Sequence, residues 1–375
     1  MSWTLTAADL PDLARGATLL GTGGGGDPYI GQKLVQRVLG EGSITVLDPD
    51  EIDDDMFVIP TAQMGAPTVM VEKIPAGTEP TLALRTLEKH LGRTADATMP
   101  IECGGINSMI PLIVAAETGL PVVDADGMGR AFPELSMETF AVYGVHGSPL
   151  ALAGERGETA VIDTGDDDRQ MEWLARGVTI RLGGVAHIAE YAMTGADVRR
   201  TAIPRTLSMA LALGRGIREA REQHRSPFEA IAETLSTTLY PHVRELFVGK
   251  VTDVERRTTD GFAKGRATIT ALGPDDDSTI EVAFQNENLV ARRDGVLAAI
   301  VPDLICITDI ESAEPITTEG LRYGQRVRVL GISTPELMRT RGALAAFGPS
   351  AFGLTDAFTP VEQLQIAEAR ALITL

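Results

Sequence analysis

The stretch from residue 97 to residue 126, ATMPIECGGINSMIPLIVAAETGLPVVDAD, decides the predicted fold. Its two ends, 97–102 and 120–126, are short apolar runs typical of buried strands, and the segment between them has the length and composition of a helix. A strand, a helix and a second strand in this order indicate a parallel sheet that helices cover on both faces. We therefore predict an α/β domain with a mostly parallel sheet.

Helical periodicity predicts further elements of this domain. Apolar residues at helical spacing predict helices over 5–20 and 28–39, and Asp27 is expected to cap the second of them. From about 185 to 240 the chain is predicted to be strongly helical. The α/β domain is accordingly expected to span residues 1–245.

The sequence pattern changes after residue 245. Short runs rich in β-branched residues alternate with Gly, Pro and Asp clusters, which predicts an all-β, barrel-like domain over residues 246–340. The last segment, 341–375, is predicted to return to the α/β domain and to end in a helix over 358–375.

Acidic residues outnumber basic ones, with 52 Asp and Glu against 33 Lys and Arg and a formal net charge of −19. Such a charge repels nucleic acid phosphates and anionic membranes, so neither is expected as a partner. The sequence has no apolar run long enough to span a membrane and its start lacks a signal-peptide pattern, which predicts a cytoplasmic protein. The two cysteines, Cys103 and Cys306, are expected to be reduced thiols.

The densest glycine cluster, LLGTGGGGDPYIG at residues 19–31, has two interpretations. Without side chains, Gly23, Gly24 and Gly25 would let a substrate or an anion approach the backbone. The same residues would also suit a tight turn between closely packed helices. A dinucleotide site is less consistent with this stretch, because the G-x-G-x-x-G pattern marks such a site only after a strand, and a helix is predicted here.

A second glycine-bearing loop lies at the end of the strand predicted over 97–102. It contains Glu102, Cys103, Gly104, Gly105 and Asn107 between the predicted strand and the predicted helix. Ligands in open α/β sheets gather at the carboxyl ends of strands. We therefore expect a catalytic carboxylate and substrate-binding groups in this loop.

Two other loops are expected to reach the same sheet edge. Asp124, Asp126 and Arg130 follow one strand, and Gln63 and Gly65 end another. Three polar, glycine-bearing loops after three predicted strands indicate one cleft, in which these residues would bind substrate and Asp124 would take part in catalysis.

Several of these residues also have a purely structural interpretation. Glu102 and Asp124 could cap the helices that follow them. Cys103 could be a small buried apolar residue, although a helix N-terminus would lower its pKa and make it a second candidate for catalysis. Within the β domain, Asn286, Glu287 and Asn288 either face a neighbouring cleft or hold the end of a strand.

Two histidines beside glycines, His146 and His187, are candidate proton carriers or metal ligands, although a lone histidine is usually neither. The sequence contains no H-E-x-x-H or C-x-x-C spacing. A divalent metal such as zinc would therefore have to be bound by distant residues, with Glu102, Asp124, His146 and His187 as the candidates.

These motifs taken together resemble the S-methyl-thiohydantoin desulfurase-like family. The resemblance runs from about residue 5 to residue 360 and is carried by GTGGGGDPYIG, AQMGAPTVMVEK, IECGGINSMIP, VVDADGMGRAFPE and FQNENLVA, in this order. It implies an α/β domain intertwined with a β-barrel domain, and an association with hydantoinase- and oxoprolinase-type proteins. The implied reaction is hydrolytic removal of sulfur from a thiohydantoin ring, with water attacking the C2 carbon.

Such a reaction assigns roles to the candidate residues. It needs an activated water, stabilisation of the developing charge and a proton for the departing thiol. Glu102 or Asp124 would act as general base or metal ligand, Asn107 would orient the substrate with the glycine loop, and His187 or His146 would carry the proton. A bound divalent metal would lower the pKa of the attacking water. We also expect a homo-oligomer.

Two alternatives come from other classes of protein. One is a nucleotide-dependent oxidoreductase or transferase that uses Gly21–Gly26, with Asp48 in place of the acidic residue that binds a ribose. The other is a non-catalytic subunit that docks on a hydantoinase-type partner through the β domain. A cleft without convergent polar groups would favour the second alternative.

Overall fold

The computed structural model of the chain describes residues 1–65, 69, 76–259, 262–273, 276–365 and 370–371. Its internal contacts divide the chain into two units. The first unit comprises Met1–Ala14, Gly26–Gly129 and Glu134–Ser208, and the second comprises Arg15–Gly25, Arg130–Pro133 and Met209–Leu375. Each unit is therefore assembled from separate stretches of the chain.

The strands of the first unit are short. They are β1 (Trp3–Thr6), β2 (Ser43–Leu47), β3 (Phe57–Gly65), β4 (Ala97–Met99), β5 (Val122–Val123), β6 (Ala125–Asp126), β7 (Leu150–Ala153), β8 (Thr159–Ile162), β9 (Val185–Ala189), β10 (Met193–Thr194) and β11 (Ile203–Pro204). Nine of them form one sheet in the order β1-β2-β5-β4-β3-β9-β7-β8, with β10 beside β3. The other two, β6 and β11, pair with each other.

This sheet is mixed, so the prediction of a mostly parallel sheet is wrong. Only β2, β5, β4 and β3 run parallel to one another, whereas β1, β10, β9, β7 and β8 join the sheet in antiparallel pairs. The physical reason lies in the connections. The strands β7 and β8 form a hairpin, and a connection that short joins only antiparallel strands.

The α-helices among the residues that the structure describes are α1 (Leu10–Leu20), α2 (Pro28–Leu39), α3 (Glu79–Leu91), α4 (Ile110–Thr118), α5 (Thr139–Val142), α6 (Asp168–Arg181), α7 (Gly195–Thr201), α8 (Thr206–Glu222), α9 (Pro227–Leu235) and α10 (Arg341–Phe347). The predicted helix over 28–39 is confirmed, and the Asp27 side chain caps it by accepting a hydrogen bond from the Tyr29 amide. No helix among the described residues is both long and apolar enough to cross a membrane.

Two helix predictions are confirmed only in part: α1 and α7–α9 occupy most of the predicted regions, but a ladder of backbone hydrogen bonds replaces the helix at the start of each region. The helix predicted over 5–20 begins only at Leu10, because Leu5 pairs with Ile44 in the β1–β2 ladder. The region from 185 to 240 begins with β9 rather than a helix, and this strand pairs on both sides.

Helix α3 covers one face of the first unit's sheet. Its wholly buried Leu84 and Leu87 pack with Ile59 of β3 and Ala151 of β7. This packing holds Glu79, the first residue of α3, at a defined place beside the sheet.

The second unit contains an antiparallel sheet. Its strands are β12 (Val243–Thr259), β13 (Phe262–Ala271), β14 (Thr279–Gln285), β15 (Glu287–Arg293), β16 (Val296–Ile300), β17 (Leu304–Asp309), β18 (Arg326–Ile332) and β19 (Arg370–Ala371). The order is β16-β15-β14-β13-β12-β18-β17, with β19 beside β12, and bulges interrupt the ladders. The predicted β domain is thus present, in the form of a curled half-barrel.

The C-terminal segment differs from its prediction. Residues 358–365 are not helical, and Arg370–Ala371 pair with β12 as a strand; the remainder of the predicted helix lies outside the described residues. The observed second unit takes in residues 209–245 and 341–375, so its limits differ from the predicted boundaries at 245 and 340. The pairing of β19 with β12 is one reason, because it ties the end of the chain to the antiparallel sheet.

Candidate functional site

A pocket lies in the first unit at the sheet edge where β3 ends and β9 begins. It encloses about 510 Å³ of space not filled by protein atoms, part of it open to solvent. Its lining residues are Ile30, Leu34, Gln63, Glu79, Ile106, Ile110, Ala153, Glu155, Val185 and His187.

Two of the sequence candidates, Gln63 and His187, meet in this pocket. They are directly opposite each other in the antiparallel β3–β9 ladder, and His187 is also opposite Ala153 of β7. Cross-strand partners present their side chains on the same face of a sheet. Because β9 lies antiparallel between β3 and β7, the imidazole of His187 and the side-chain amide of Gln63 lie side by side.

The electrostatics of the pocket favour a neutral imidazole. His187 is 5% exposed, and burial lowers its pKa to about 4, while the Glu79 carboxylate opposes this shift. Glu79 is itself held in place, because its carboxylate accepts hydrogen bonds from the amides of Ala76 (3.1 Å) and Gly77 (2.7 Å). At neutral pH the His187 ring can both accept and donate a hydrogen bond.

Asn107 connects the pocket to Glu102. Its Oδ1 accepts a hydrogen bond from the backbone amide of Gln63 at 2.7 Å, and its Nδ2 donates to Glu102 Oε1 at 2.8 Å. Asn107 lies in a short 3₁₀ helix, Gly105–Ser108, and Gly105 has a φ of +67°, which glycine adopts without strain. The carboxylate thus fixes the orientation of Asn107, and Asn107 fixes the end of β3.

One polar atom in the pocket lacks a hydrogen-bond partner in the described part of the chain. The Gln63 side-chain oxygen is buried, and among the described residues no donor lies within hydrogen-bonding distance of it. A buried acceptor without a donor costs about 1–3 kcal/mol, so it suits a ligand that carries an N–H group.

The remainder of the pocket is largely apolar. Ile30 and Leu34 come from α2, while Ile106, Ile110 and Val185 complete the apolar lining. The loop that supplies Glu102 and Asn107 therefore also supplies part of this apolar wall.

The other glycines predicted at this edge have local structural roles. Gly65 ends β3, and a Cβ there would lie 2.5 Å from the carbonyl oxygen of Gly184. Gly104 precedes the 3₁₀ helix in an extended conformation. Both therefore shape the backbone that bears Gln63 and Asn107.

The structure gives two of the predicted acids backbone partners. Asp124 Oδ1 accepts hydrogen bonds from the amides of Leu207 (2.9 Å) and Ser208 (3.1 Å), in the first turn of α8. Asp126 accepts from the amides of Cys103 (2.6 Å) and Gly129 (2.7 Å), and burial raises its pKa to about 7. Both carboxyls organise the loops around the sheet edge. The capping interpretation of Asp124 predicts a bond to the helix that follows it, whereas the structure gives Asp124 the first turn of α8.

The structure favours the interpretation of Cys103 as a small buried residue over that of a second catalytic candidate. Its side chain is 1% exposed and its thiol donates to the Thr206 carbonyl oxygen at 3.3 Å. Burial raises the thiol pKa well above its ordinary value, and the carboxyls of Asp126 and Asp124 add to the increase. The thiolate form that a nucleophile needs is therefore disfavoured.

His146 lies apart from the pocket lining. Its side chain is 43% exposed and its Nδ1 lies 3.1 Å from Asp168 Oδ2, while the other Asp168 oxygen accepts from the Gly147 amide. Of the two predicted histidines, the structure places only His187 in the pocket.

The predicted metal ligands do not form one site. Within the described part of the chain, no three His, Cys, Asp or Glu side chains come together in a way that could hold a metal ion. The candidates were Glu102, Asp124, His146 and His187.

The first glycine loop packs inside the second unit. The Gly25 amide donates to Glu287 Oε1 at 3.2 Å, and the Gly23 carbonyl accepts from the Thr318 amide at 2.7 Å. A Cβ on Gly24 would lie 2.1 Å from Glu287 Oε1. The loop also follows α1 rather than a strand, so the structure favours the tight-packing interpretation over a dinucleotide site.

Arg130 is a buried structural cation of the second unit. It has no exposed surface, and its guanidinium donates to the carbonyl oxygens of Asp303 (2.9 Å), Asn288 (2.9 Å) and Ala131 (3.1 Å). The structure therefore places it on the backbone beside β15 and β17.

Sequence reasoning missed several residues of the first unit. Glu79 and Glu155 line the pocket but lack any motif, and the only signal for Ile30 and Leu34 was their position on a predicted helix. Glu138 and Glu190 are wholly buried, and none of their carboxyl oxygens has a partner among the described residues. Burial raises the pKa of both and favours their protonated forms.

Comparison with known proteins gives a consistent family assignment. The model of the S-Me-THD-like N-terminal domain matches residues 8–164, and that of the C-terminal domain matches residues 166–361. No curated protein matches the chain. The crystal structure of a protein from Chromobacterium violaceum, from the Northeast Structural Genomics Consortium, is 25% identical and covers 96% of this chain and 100% of its own, with a TM-score of 0.80. This chain belongs to the S-methyl-thiohydantoin desulfurase-like family.

Proposed function

We propose that this chain is a hydrolase that removes methanethiol from an S-methyl thiohydantoin, or sulfide from a thiohydantoin, in the pocket of the first unit. The observation that carries the proposal is the cross-strand pairing of His187 with Gln63 in a largely apolar pocket, where the buried Gln63 side-chain oxygen has no donor among the described residues. The convergent polar groups count against a non-catalytic docking role, for which a purely apolar cleft was expected.

The ring chemistry matches the polar groups of the pocket. A thiohydantoin carries ring N–H groups, and one of them would donate to the Gln63 side-chain oxygen. The apolar wall would receive the methylthio group and the ring substituent. Glu102 acts through Asn107 in this arrangement, as a positioning residue that keeps Gln63 aligned.

The reaction balances with the groups present. A water oxygen forms a bond to C2 while the imidazole of His187 accepts a proton from that water. The electron pair of the C2=N bond moves to the ring nitrogen, or that of C2=S to sulfur in an unmethylated ring, and it restores a double bond at C2 in the next step. The C2–S bond then breaks, the thiolate leaves with the electron pair, and the imidazolium returns the proton to it. Glu79 supports this sequence because its negative charge stabilises the transient imidazolium. The products are a hydantoin and methanethiol, or sulfide when the substrate is not methylated.

Isotope labelling tests this proposal directly. Purified protein is incubated with S-methyl thiohydantoins in H₂¹⁸O, and the released thiol and the mass of the hydantoin are measured together. We expect equal amounts of thiol and hydantoin, with one ¹⁸O atom in each hydantoin molecule and none in the thiol. Thiol release without the label would overturn water attack at C2, and no release from any ring would overturn the hydrolase.

The predicted zinc and the predicted partners stay predictions. The same assay on chelator-treated and zinc-supplemented protein tests the metal. Copurification with a hydantoinase- or oxoprolinase-type protein tests the partner, and the mass of the assembly in solution tests the homo-oligomer.

A further inference from the structure

The backbone of Gln63 is fixed by Asn107, which leaves its side-chain amide for a ligand. Asn107 binds both polar groups of that backbone: Oδ1 accepts from the Gln63 N–H at 2.7 Å, and Nδ2 donates to the Gln63 carbonyl oxygen at 3.3 Å. The same Nδ2 donates to Glu102 Oε1 at 2.8 Å, which holds the Asn107 amide in this orientation. Neither bond to Gln63 uses its side chain, whose oxygen is buried without a donor within the described ranges. A ligand in the pocket can therefore complete the hydrogen bonding of this amide.

A primary amide binds one kind of ring edge especially well. It offers a carbonyl acceptor and an N–H donor side by side, so its complement is an N–H group next to a carbonyl group. In a thiohydantoin this edge consists of N3–H and C4=O. N1 lies between C5, which is saturated, and C2, which carries the sulfur, and sulfur is a weak acceptor. When the ring is S-methylated, N3–H exists only in the tautomer whose double bond is C2=N1.

This pairing leaves the reacting carbon accessible. C2 and C4 are the two ring neighbours of N3, so an amide that pairs with N3–H and C4=O covers one side of N3 and leaves C2 on the other. His187 lies beside Gln63 on the same face of the β3–β9 pair, where it can serve that carbon. Sulfur leaves from C2, so the reaction does not change the bound edge. Substrate and product can therefore bind in one pose.

From this arrangement we infer that the Gln63 side-chain amide binds the N3–H and C4=O edge of the ring, that the site selects rings with an unsubstituted N3, and that Gln63 is a specificity-determining residue. This inference rests on the proposed function. A substituent on N3 leaves the Gln63 oxygen without a donor and places a carbon group against it. Sites built to hydrogen-bond a substrate N–H discriminate strongly against analogues that lack it. A substituent on N1 does not disturb this contact.

Methylated rings with one common 5-substituent test the inference on the unaltered protein. The 1-methyl and 3-methyl 2-thiohydantoins have the same volume and differ in which nitrogen keeps its hydrogen. Sulfide release is measured for both, and we expect kcat/KM to be about 50-fold higher for the 1-methyl ring. Binding is measured separately by calorimetry for 1-methylhydantoin and 1,3-dimethylhydantoin, neither of which has an N1–H that could replace N3–H. We expect the affinities to differ by about 50-fold as well.

Gln63→Met assigns the selectivity to the side-chain amide. Methionine has a similar length but no amide, so the preference for the 1-methyl rings should fall to about 5-fold, which is the steric share. A preference that stays at about 50-fold in this variant would show that steric exclusion causes it, and would overturn the inference. Gln170→Met is the matched control, because Gln170 is an exposed glutamine of the same unit that is absent from the pocket lining. It should leave both ratios unchanged.

The outcomes separate this inference from the hydrolase. Equal turnover of the 1-methyl and 3-methyl rings, or faster turnover of the 3-methyl ring, overturns the inference and leaves the hydrolase intact. Selective binding of 1-methylhydantoin that is lost in Gln63→Met, without turnover of any ring, supports the inferred contact and overturns the hydrolase. If no ring binds or reacts, both are overturned.

Discussion

Two glycine-bearing loops, Gly23–Gly25 and the loop that begins at Glu102, differ in what fills the space beside them. At Gly23–Gly25 the space is occupied by protein, since Glu287 and Asn288 lie where side chains on Gly24 and Gly23 would be. The loop that begins at Glu102 instead helps to line a pocket, and its Asn107 binds the backbone of Gln63, whose side-chain oxygen has no donor within the described ranges. Density of glycine therefore indicates close approach of the backbone, and only the surroundings show whether protein or ligand makes that approach.

The largest expected effect is on turnover at the second loop. We expect His187→Gln to lower kcat/KM for S-methyl thiohydantoins by about 10²–10³-fold, because the imidazole carries the proton between water and thiolate. The change should not lower the free energy of unfolding by a comparable amount, and denaturant titration checks this. His146→Gln is the control, since His146 is absent from the pocket lining. Equal losses in the two variants would contradict the assignment of the pocket.

The next prediction concerns Glu287, the acid beneath the first loop. Burial raises its pKa from its ordinary value of 4.5 to about 8, against the opposing charge of Arg130. The unfolded chain releases this proton near pH 4.5 and the folded chain holds it to about pH 8, so the stability present at low pH is lost as the pH rises between these values. We expect Glu287→Gln to remove this loss, on the order of 3 kcal/mol between pH 5 and pH 8.

Urea titrations at several pH values measure that difference. Glu281→Gln is a suitable control, because Glu281 is an exposed residue on the neighbouring strand β14. If Glu287→Gln keeps the pH slope of the unaltered protein, then Glu287 is ionised in the folded state and the loop is not the closed packing site described above.

A smaller effect is expected from Gly24→Ala. The new methyl group would lie 2.1 Å from Glu287 Oε1 and 2.6 Å from its Cδ, so the buried side chain must move. We expect the free energy of unfolding to fall by about 2 kcal/mol. Gly177→Ala in α6 meets no atom within 4 Å and should raise stability by up to about 1 kcal/mol. A neutral Gly24→Ala would mean that the loop is looser than its contacts indicate.

The smallest expected effect is that of Cys103→Ala. Because burial and neighbouring carboxyls disfavour the thiolate, the variant should keep kcat/KM within about 2-fold of the unaltered protein. Alkylation by iodoacetamide at pH 8 should likewise be slower for Cys103 than for free cysteine. Loss of turnover with an unchanged pH profile of unfolding would restore Cys103 as a catalytic residue.

The parts of the fold that the sequence predicted are those with strong local signals. Asp27 followed by Pro28 marks the start of α2, and the turn-rich β runs after residue 245 identify the second sheet. The strand β9 was hidden because five residues are too few to show a period and the surrounding segments are helical. His187 could therefore be suspected from its chemistry, while its position opposite Gln63 depends on a long-range pairing that no local pattern reveals.

The same reasoning applies to the acids. Asp124 and Glu102 both follow strands and look equivalent in sequence, yet one accepts from the amides of Leu207 and Ser208 and the other from the Asn107 side chain. The partner of Asp124 lies 83 residues away, so its capping role could be named in general but not assigned to α8. Glu79 and Glu155 reach the pocket only through the packing of their elements.

The hydrogen bonds of the first glycine loop affect how the protein folds during its synthesis on the ribosome. The Gly25–Glu287 bond joins residues 262 positions apart, and the Thr22–Ile305 bond spans 283. When the N-terminal segment leaves the exit tunnel, the strands that receive it have not been translated. Leu19, which is wholly buried in the folded protein, cannot reach these contacts until most of the chain has emerged from the ribosome. The segment that contains Leu19 is thus synthesised before the strands that complete its packing.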